Sequence, residues 1–332
     1  MVEVTMAGAL NQAMWDALAA DRRVLVFGED VGRAGGIFRV TEGLQEEFGD
    51  ERVFDTPSAE AGIAGMCVGL ALAGWRPVAE MQFDGFSYPG LDQVITHVAK
   101  YRNRTRGRTP MPITIRIPSF GGLRGKEHHG ESPETYYAHT AGLKVVVPSS
   151  PIDAYRLLRL SIADPDPVIF LEPKALYRSR EDGDLDMGPP GIGKARVIRD
   201  GAACVLVAYG AMVARCLEAA YALAREGVDC QVLDLRSLVP LDVGTLVASV
   251  RAIGRAVVVH EAPRTLGFGA EVVARIVEEA FDALKAPVAR VTGYDVPYPP
   301  ATLEQRYRPS VDRVIAAVRS VVGQPRPLSS AP

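Results

Sequence analysis

Between Asp55 and Arg76 the chain carries one charge, Glu60, in a run that is otherwise small, apolar and punctuated by glycine. A stretch so poor in charge is built for burial, and its length suits a helix over about 58–74 rather than a strand. Gly62, Gly65 and Gly69 each cost about 1 kcal/mol inside a helix, which is tolerable where another backbone approaches closely. The helix is therefore expected to pack against another chain or a ligand. Glu60 stands at its mouth and admits two readings. An acidic residue in a first turn can satisfy free backbone N–H groups and favour the helix dipole. Alternatively, burial raises its pKa and lets it share a proton with a ring nitrogen.

Around this run, apolar strands alternate with amphipathic helices. A helix behind Thr5 carries Leu10, Ala13, Met14, Ala17 and Leu18 on one stripe and leads to strand 24–27. Strands follow at 78–83, 113–117, 144–148 and 168–172, with a helix through Leu91, Val94, Ile95 and Val98 and another opened by Ser150-Pro151. This βα rhythm predicts an α/β fold with a parallel sheet covered by helices on both faces. A polar, turn-forming stretch at about 178–196 then separates a second alternation: strands 203–210, 228–235, 256–262 and 287–293, with intervening helices. The expected organisation is an α/β domain over 1–185, a smaller α/β domain over 196–322 and a flexible tail over 323–332. A length of 332 residues fits two domains of about 150 each.

Charged residues make up 23% of the chain and the formal net charge is −3, which offers nothing to a polyanion, so nucleic acid is excluded as the expected partner. Cys67, Cys204, Cys216 and Cys230 lack metal-type spacing and read as reduced thiols. No signal-type leader or membrane span is read, and the expected location is the cytoplasm.

Three loops place polar residues just after predicted strands, where open parallel sheets bind ligands. They are Gly28-Glu29-Asp30, the segment Gln82 to Phe86, and the glycine-rich Gly121 to Gly125 running into His128-His129. With Glu60 they can converge on one pocket. The two histidines admit a metal site, a solvated loop or an acid/base role; adjacent side chains diverge, which disfavours shared ligation. A histidine in such a loop rather than on an apolar stripe is placed for acid/base work, which favours function over a solvated loop. Phe86 reads equally as core, and Asp164-Pro165-Asp166-Pro167 as a turn.

A whole diphosphate cofactor needs a glycine-rich turn at a helix N-terminus or a Mg²⁺ site, and the chain has no phosphate-binding motif of either type. If Glu60 serves a thiamine ring, something else must hold the diphosphate.

The runs GEDVG (28–32), VTEGL (40–44), DTPSAEAG (55–62), GWRPVAEMQF (74–83), DQVITHVAKYR (92–102), HHGESPETYYAH (128–139), GLKVV (142–146), LEPKALYR (171–178) and GYDVPYP (293–299) carry a resemblance. They resemble the β chain of the decarboxylating component of 2-oxo acid dehydrogenase complexes, over about 5–320. The wording around His129 is more similar to the branched-chain type than to the pyruvate type.

The resemblance implies a thiamine-diphosphate fold: a pyrimidine-binding domain, then a transketolase C-terminal-like domain. It implies an α₂β₂ heterotetramer whose α chain supplies the diphosphate and Mg²⁺ motif, a site between chains, and a lipoylated acyltransferase core as acyl acceptor. By matching position, Glu60 would hydrogen-bond the pyrimidine N1′, Phe86 would pack on the ring, and Glu29, Ser58 and Gln82 would line the pocket. His129 would orient the carboxylate of a small 2-oxo acid and supply a proton in acyl transfer. The family also implies a structural K⁺ held mainly by carbonyl oxygens, at Met111, Ile113, Thr114, Ser161, Asp164 and Asp166. The alternatives are a pyruvate or acetoin dehydrogenase β subunit, a transketolase-like two-chain enzyme, and a non-catalytic docking subunit.

Overall fold

The computed structural model describes residues 2–125, 128–185 and 191–323. In chain order its elements are β1 (Val2–Thr5), α1 (Met6–Ala20), β2 (Val24–Gly28), α2 (Leu44–Phe48), β3 (Val53–Asp55), α3 (Glu60–Leu72), β4 (Arg76–Glu80), α4 (Leu91–Gln93), α5 (Tyr101–Arg104), β5 (Thr114–Ser119), α6 (Glu134–Ala138), β6 (Lys144–Val146), α7 (Pro151–Ala163), β7 (Val168–Pro173) and β8 (Arg180–Gly183). They continue with β9 (Arg196–Arg199), β10 (Cys204–Ala208), α8 (Met212–Ala224), β11 (Cys230–Asp234), β12 (Ser237–Val239), α9 (Val243–Ile253), β13 (Ala256–Val259), α10 (Gly269–Ala280), β14 (Ala289–Val291), α11 (Glu304–Tyr307) and α12 (Val311–Val322). Two compact units result: Met1–Gly193 with Ser237–Pro240, and Lys194–Arg236 with Leu241–Pro332.

The first unit is built on a seven-stranded sheet in the order β12-β6-β7-β5-β4-β2-β3. Its strands are parallel except β12, which runs antiparallel to β6 at one edge. Strands β2 and β7 are buried along their whole length, as expected of a sheet covered on both faces. Helix α1 starts where the Thr5 hydroxyl accepts the Gly8 N–H at 3.1 Å, satisfying an orphan donor of the first turn. Its stripe of Met6, Leu10, Met14 and Leu18 packs with Leu157, Leu158 and Ile162 of α7 in one apolar cluster. Helix α7 has Pro151 in its first turn behind the Ser150 cap, the N-terminal arrangement proline favours.

Three features depart from the sequence reading. Strand β4 ends at Glu80, so Met81 to Phe83 leave the sheet as Asp84 caps the 3-10 turn Gly85–Gly90. The polar stretch expected to be linker contains β8, which pairs antiparallel with β1 as a separate two-stranded ribbon. Edge strands β9 and β12 are antiparallel, an addition that needs no crossover helix. Of that stretch, residues 186–190 lie outside the described residues, as does the expected tail beyond Gly323.

The second unit carries a five-stranded sheet, β14-β13-β10-β11-β9, parallel apart from β9. Asp242 caps α9 through Thr245, as its position before the apolar run predicts. His260 is fully buried against Tyr209, and burial drives its imidazole down to about 3, so it stays neutral. Among the described residues no helix is long and apolar enough to cross a membrane.

Candidate active site

Strands β3, β2, β4 and β5 lie side by side, and the loops leaving their carboxyl ends hold Ser58 and Glu60, Glu29, Gln82 and Phe86, and His129 respectively. Neighbouring parallel strands thus gather residues up to 100 positions apart at one rim of the sheet. The strand ends meet closely at Gly28, where a Cβ would stand 2.5 Å from the Glu80 carbonyl oxygen. Only glycine fits that approach. The Thr56 N–H donates to the Gly28 carbonyl at 3.0 Å and locks the exit of β3 to that of β2.

Glu60 is the first residue of α3 and is half-buried. This differs from the expectation of a buried acid. Glu60 is the acidic residue of the first turn, where the helix dipole favours it, and the N-cap residue, Ala59, makes no side-chain cap hydrogen bond. The buried carboxyl is Glu29, 7% exposed. Its pKa is raised, first by burial and then by the neighbouring negative charge of Glu60, while the Ser58 hydroxyl opposes the shift. Glu29 Oε1 and Thr56 Oγ1 are both buried without a hydrogen-bond partner among the described residues. Two orphaned acceptors beside a half-buried acid mark a place where a polar ligand completes the bonding. Gln82 donates to Asp30 at 2.9 Å, tying the β4 exit to the β2 exit.

Three rings cluster beyond the ends of β4 and β5. Phe83 lies 4.4 Å from the His129 ring between centroids, Phe86 lies 5.4 Å from it, and the two phenylalanines are 5.5 Å apart. All three contacts are edge-on, the arrangement aromatic quadrupoles prefer. The sequence reading named Phe86 and His129 but missed Phe83, which makes the shorter contact. Phe86 is half-buried rather than core. His128 is exposed, and no group of three His, Cys, Asp or Glu among the described residues is placed to hold a metal.

Helix α3 buries Ile63, Ala64, Cys67 and Ala71, and leaves Ala61, Gly62, Gly69 and Leu72 outward. A Cβ at Gly69 would meet nothing within 4 Å, and one at Gly62 only Ala59 at 3.7 Å. Gly62 and Gly69 therefore face away from this chain, whereas a Cβ at Gly65 would stand 3.6 Å from Gln93 Oε1.

Of the expected K⁺ set, Met111 and Ile113 precede β5, Thr114 opens it, Ser161 lies in the last turn of α7, and Asp164 and Asp166 follow that helix; the two segments join where the Met111 N–H donates to the Pro165 carbonyl at 2.9 Å. Their acidic side chains are already matched: Asp164 takes two 2.7 Å bonds from Lys144, and Asp166 pairs with Arg102. The Ser161 hydroxyl donates to the Leu157 carbonyl at 2.7 Å. Thr114 Oγ1 is buried without a partner among the described residues, while the carbonyls of Met111, Ile113 and Ser161 already accept the N–H groups of Ile113, Val168 and Asp164, so a cation here would rely on that hydroxyl and on the second lone pairs of those main-chain oxygens. That donor set suits a large monovalent cation better than a transition metal.

A doubly covered parallel sheet with polar loops at its carboxyl ends, followed by a second parallel unit, is the transketolase-type α/β architecture. The family model for the transketolase pyrimidine-binding domain matches residues 2–180, and that for the transketolase C-terminal domain matches 193–314. A solved structure titled split gene transketolase, inactive beta4 tetramer, shares the fold with a TM-score of 0.80 at 22% identity, covering 97% of this chain and 99% of its own. A 3-methyl-2-oxobutanoate dehydrogenase subunit beta from Mycobacterium tuberculosis is 56% identical over 323 residues, 97% of this chain and 93% of its own. A pyruvate dehydrogenase E1 component subunit beta from Leifsonia xyli is 50% identical, covering 94% and 93%. A 2-oxoisovalerate dehydrogenase subunit beta from Pseudomonas aeruginosa is 45% identical, covering 97% and 96%. The chain belongs to the family of thiamine-dependent 2-oxo acid dehydrogenase β subunits.

Proposed function

We propose that this chain is the β subunit of a branched-chain 2-oxo acid dehydrogenase that decarboxylates its substrate oxidatively and passes the acyl group to a lipoyl group of a core enzyme. The observation that carries the catalytic reading is the carboxyl pair Glu29 and Glu60. One acid is buried with an orphaned oxygen, the other half-buried at a helix start. This set fits an aminopyrimidine, whose ring nitrogen needs an acid and whose amino group needs an acceptor. Thiamine diphosphate, when bound, supplies the electron sink for decarboxylation. Glu60 would hold the proton at the pyrimidine N1′, and Glu29 with Ser58 and Gln82 would fix the pocket around it. Phe83 and Phe86 would exclude water, and His129 would orient the substrate carboxylate and move a proton during acyl transfer.

The bare glycine face of α3 and the missing phosphate motif support an α chain that completes the site and holds Mg²⁺, in an α₂β₂ assembly. Domain limits of 1–185 and 196–322, the K⁺ site at Met111, Ile113, Thr114, Ser161, Asp164 and Asp166, and a cytoplasmic location belong to the same proposal. The four free, buried cysteines support the last point. The higher identity to the 3-methyl-2-oxobutanoate relative supports branched-chain substrates over pyruvate.

Co-purification with the α chain, followed by decarboxylation assays on 3-methyl-2-oxobutanoate and pyruvate, tests the reading. We expect a preference of about tenfold or more in kcat/KM for the branched substrate, the scale that a few methyl contacts provide. Preference for pyruvate overturns the substrate assignment, and a complex without turnover overturns the catalytic one.

A further inference from the structure

Beneath the ring cluster lies an ion pair that the assigned roles do not use. Lys174 and Asp84 are 1% and 0% exposed and bond to each other directly. Lys174 Nζ also donates to the Pro118 carbonyl at 3.3 Å, so one ammonium joins the exits of β4, β5 and β7. Asp84 organises the turn that follows it. Its Oδ1 accepts the Gly85 N–H at 2.9 Å, and its carbonyl accepts the Ser87 N–H at 3.1 Å and the Ser87 hydroxyl at 2.6 Å. Ser87 Oγ in turn accepts the buried Tyr137 hydroxyl at 2.9 Å.

This turn is the seat of the histidine loop. A Cβ on Gly85 would stand 2.5 Å from the His128 carbonyl oxygen, so the two backbones are in direct contact. His128 itself is held in the left-handed region at φ 66°, a conformation that needs outside support in a residue other than glycine. Lys174 Nζ lies 5.9 Å from the centre of the Phe83 ring, and that ring makes the 4.4 Å contact with His129. A buried ion pair loses in desolvation much of what it gains in attraction, so stability alone is a weak reason to keep one here.

We infer that the Lys174–Asp84 pair is the positioning element for His129, holding the 84–87 turn so that the imidazole rests on Phe83 and Phe86. The catalytic consequence rests on the role proposed above for His129; the geometric one does not.

The test is a double variant, Lys174→Met with Asp84→Asn, which removes both charges and so leaves no buried ion unpaired, compared with the wild type in the α–β complex. Diethyl pyrocarbonate modification of each histidine is followed by peptide mass spectrometry. His129 should react about threefold faster or more in the variant, the size of a modest local loosening. His260, buried in the other unit, should stay protected. Acyl transfer to lipoyl should fall about tenfold, while half-saturation by thiamine diphosphate moves less than about twofold. Unchanged labelling of His129, or a rise shared by His260, overturns the inference. If the wild-type complex acylates no lipoyl group, the proposed function fails, and the labelling comparison still decides the positioning role.

Discussion

Two pairs of carboxylates stand on the same parallel sheet and are treated in opposite ways. Glu80 and Glu172 flank Arg116, which is completely buried and bonds to Glu172 at 2.7 and 3.1 Å and to Glu80 at 2.7 Å. The Tyr177 hydroxyl adds a 2.6 Å bond to Glu172. Burial works against the guanidinium charge, and the two carboxylates more than offset it, so its pKa is raised. Glu29 follows β2, the strand beside that of Glu80, and Glu60 follows β3 one strand further on; neither forms an ion pair among the described residues. The first pair is a finished structural network. In the second, Glu29 Oε1 is buried without a hydrogen-bond partner among the described residues.

The contrast breaks most visibly at Arg116. Arg116→Met strands two buried carboxylates and should cost about 3–5 kcal/mol in urea unfolding of the isolated chain. A loss below about 1 kcal/mol would show that water reaches the network. Next in size, Glu60→Gln should lower decarboxylation by the reconstituted complex about 100-fold. The same change should leave unfolding of the isolated chain within about 0.5 kcal/mol, because the half-buried carboxylate has no partner to lose. Parallel losses of rate and stability would place Glu60 with the structural pair instead.

The smallest effect concerns Glu29. Its folded pKa is raised above the ordinary 4.5, so the protonated form favours folding below that value, and the benefit is lost as pH rises through the folded pKa. Glu29→Gln keeps the shape and removes the charge. It should raise the unfolding free energy from urea titration at about pH 7 by part of the roughly 1 kcal/mol common for single substitutions, and change nothing at about pH 4. A gain that persists in acid would mean that packing, not charge, sets the difference.

Much of this contrast was open to reading before any coordinates. Glu80, Arg116 and Glu172 each interrupt an apolar strand pattern, and charges of opposite sign on neighbouring buried strands are a signal of a paired network. That signal becomes a pairing only with the strand order, since Glu80 meets Arg116 through the β4–β5 register. Phe83 was missed for a related reason. The run from Val78 to Phe83 reads as continuous strand, and only the break after Glu80 turns the ring toward His129. Lys174 and Asp84 are 90 positions apart, and no local pattern couples them.

By itself the sequence determined the alternation of strands and helices, the caps of α1, α7 and α9, the uncharged helix behind Glu60 and the family. All of these depend on interactions within a few residues along the chain or on shared wording. The tertiary structure alone decided which acid is buried. Glu60 was expected inside and is half-exposed, while Glu29 is enclosed by the closely packed ends of β2, β3 and β4. Burial is a property of what other segments cover, and so is the pKa that follows from it.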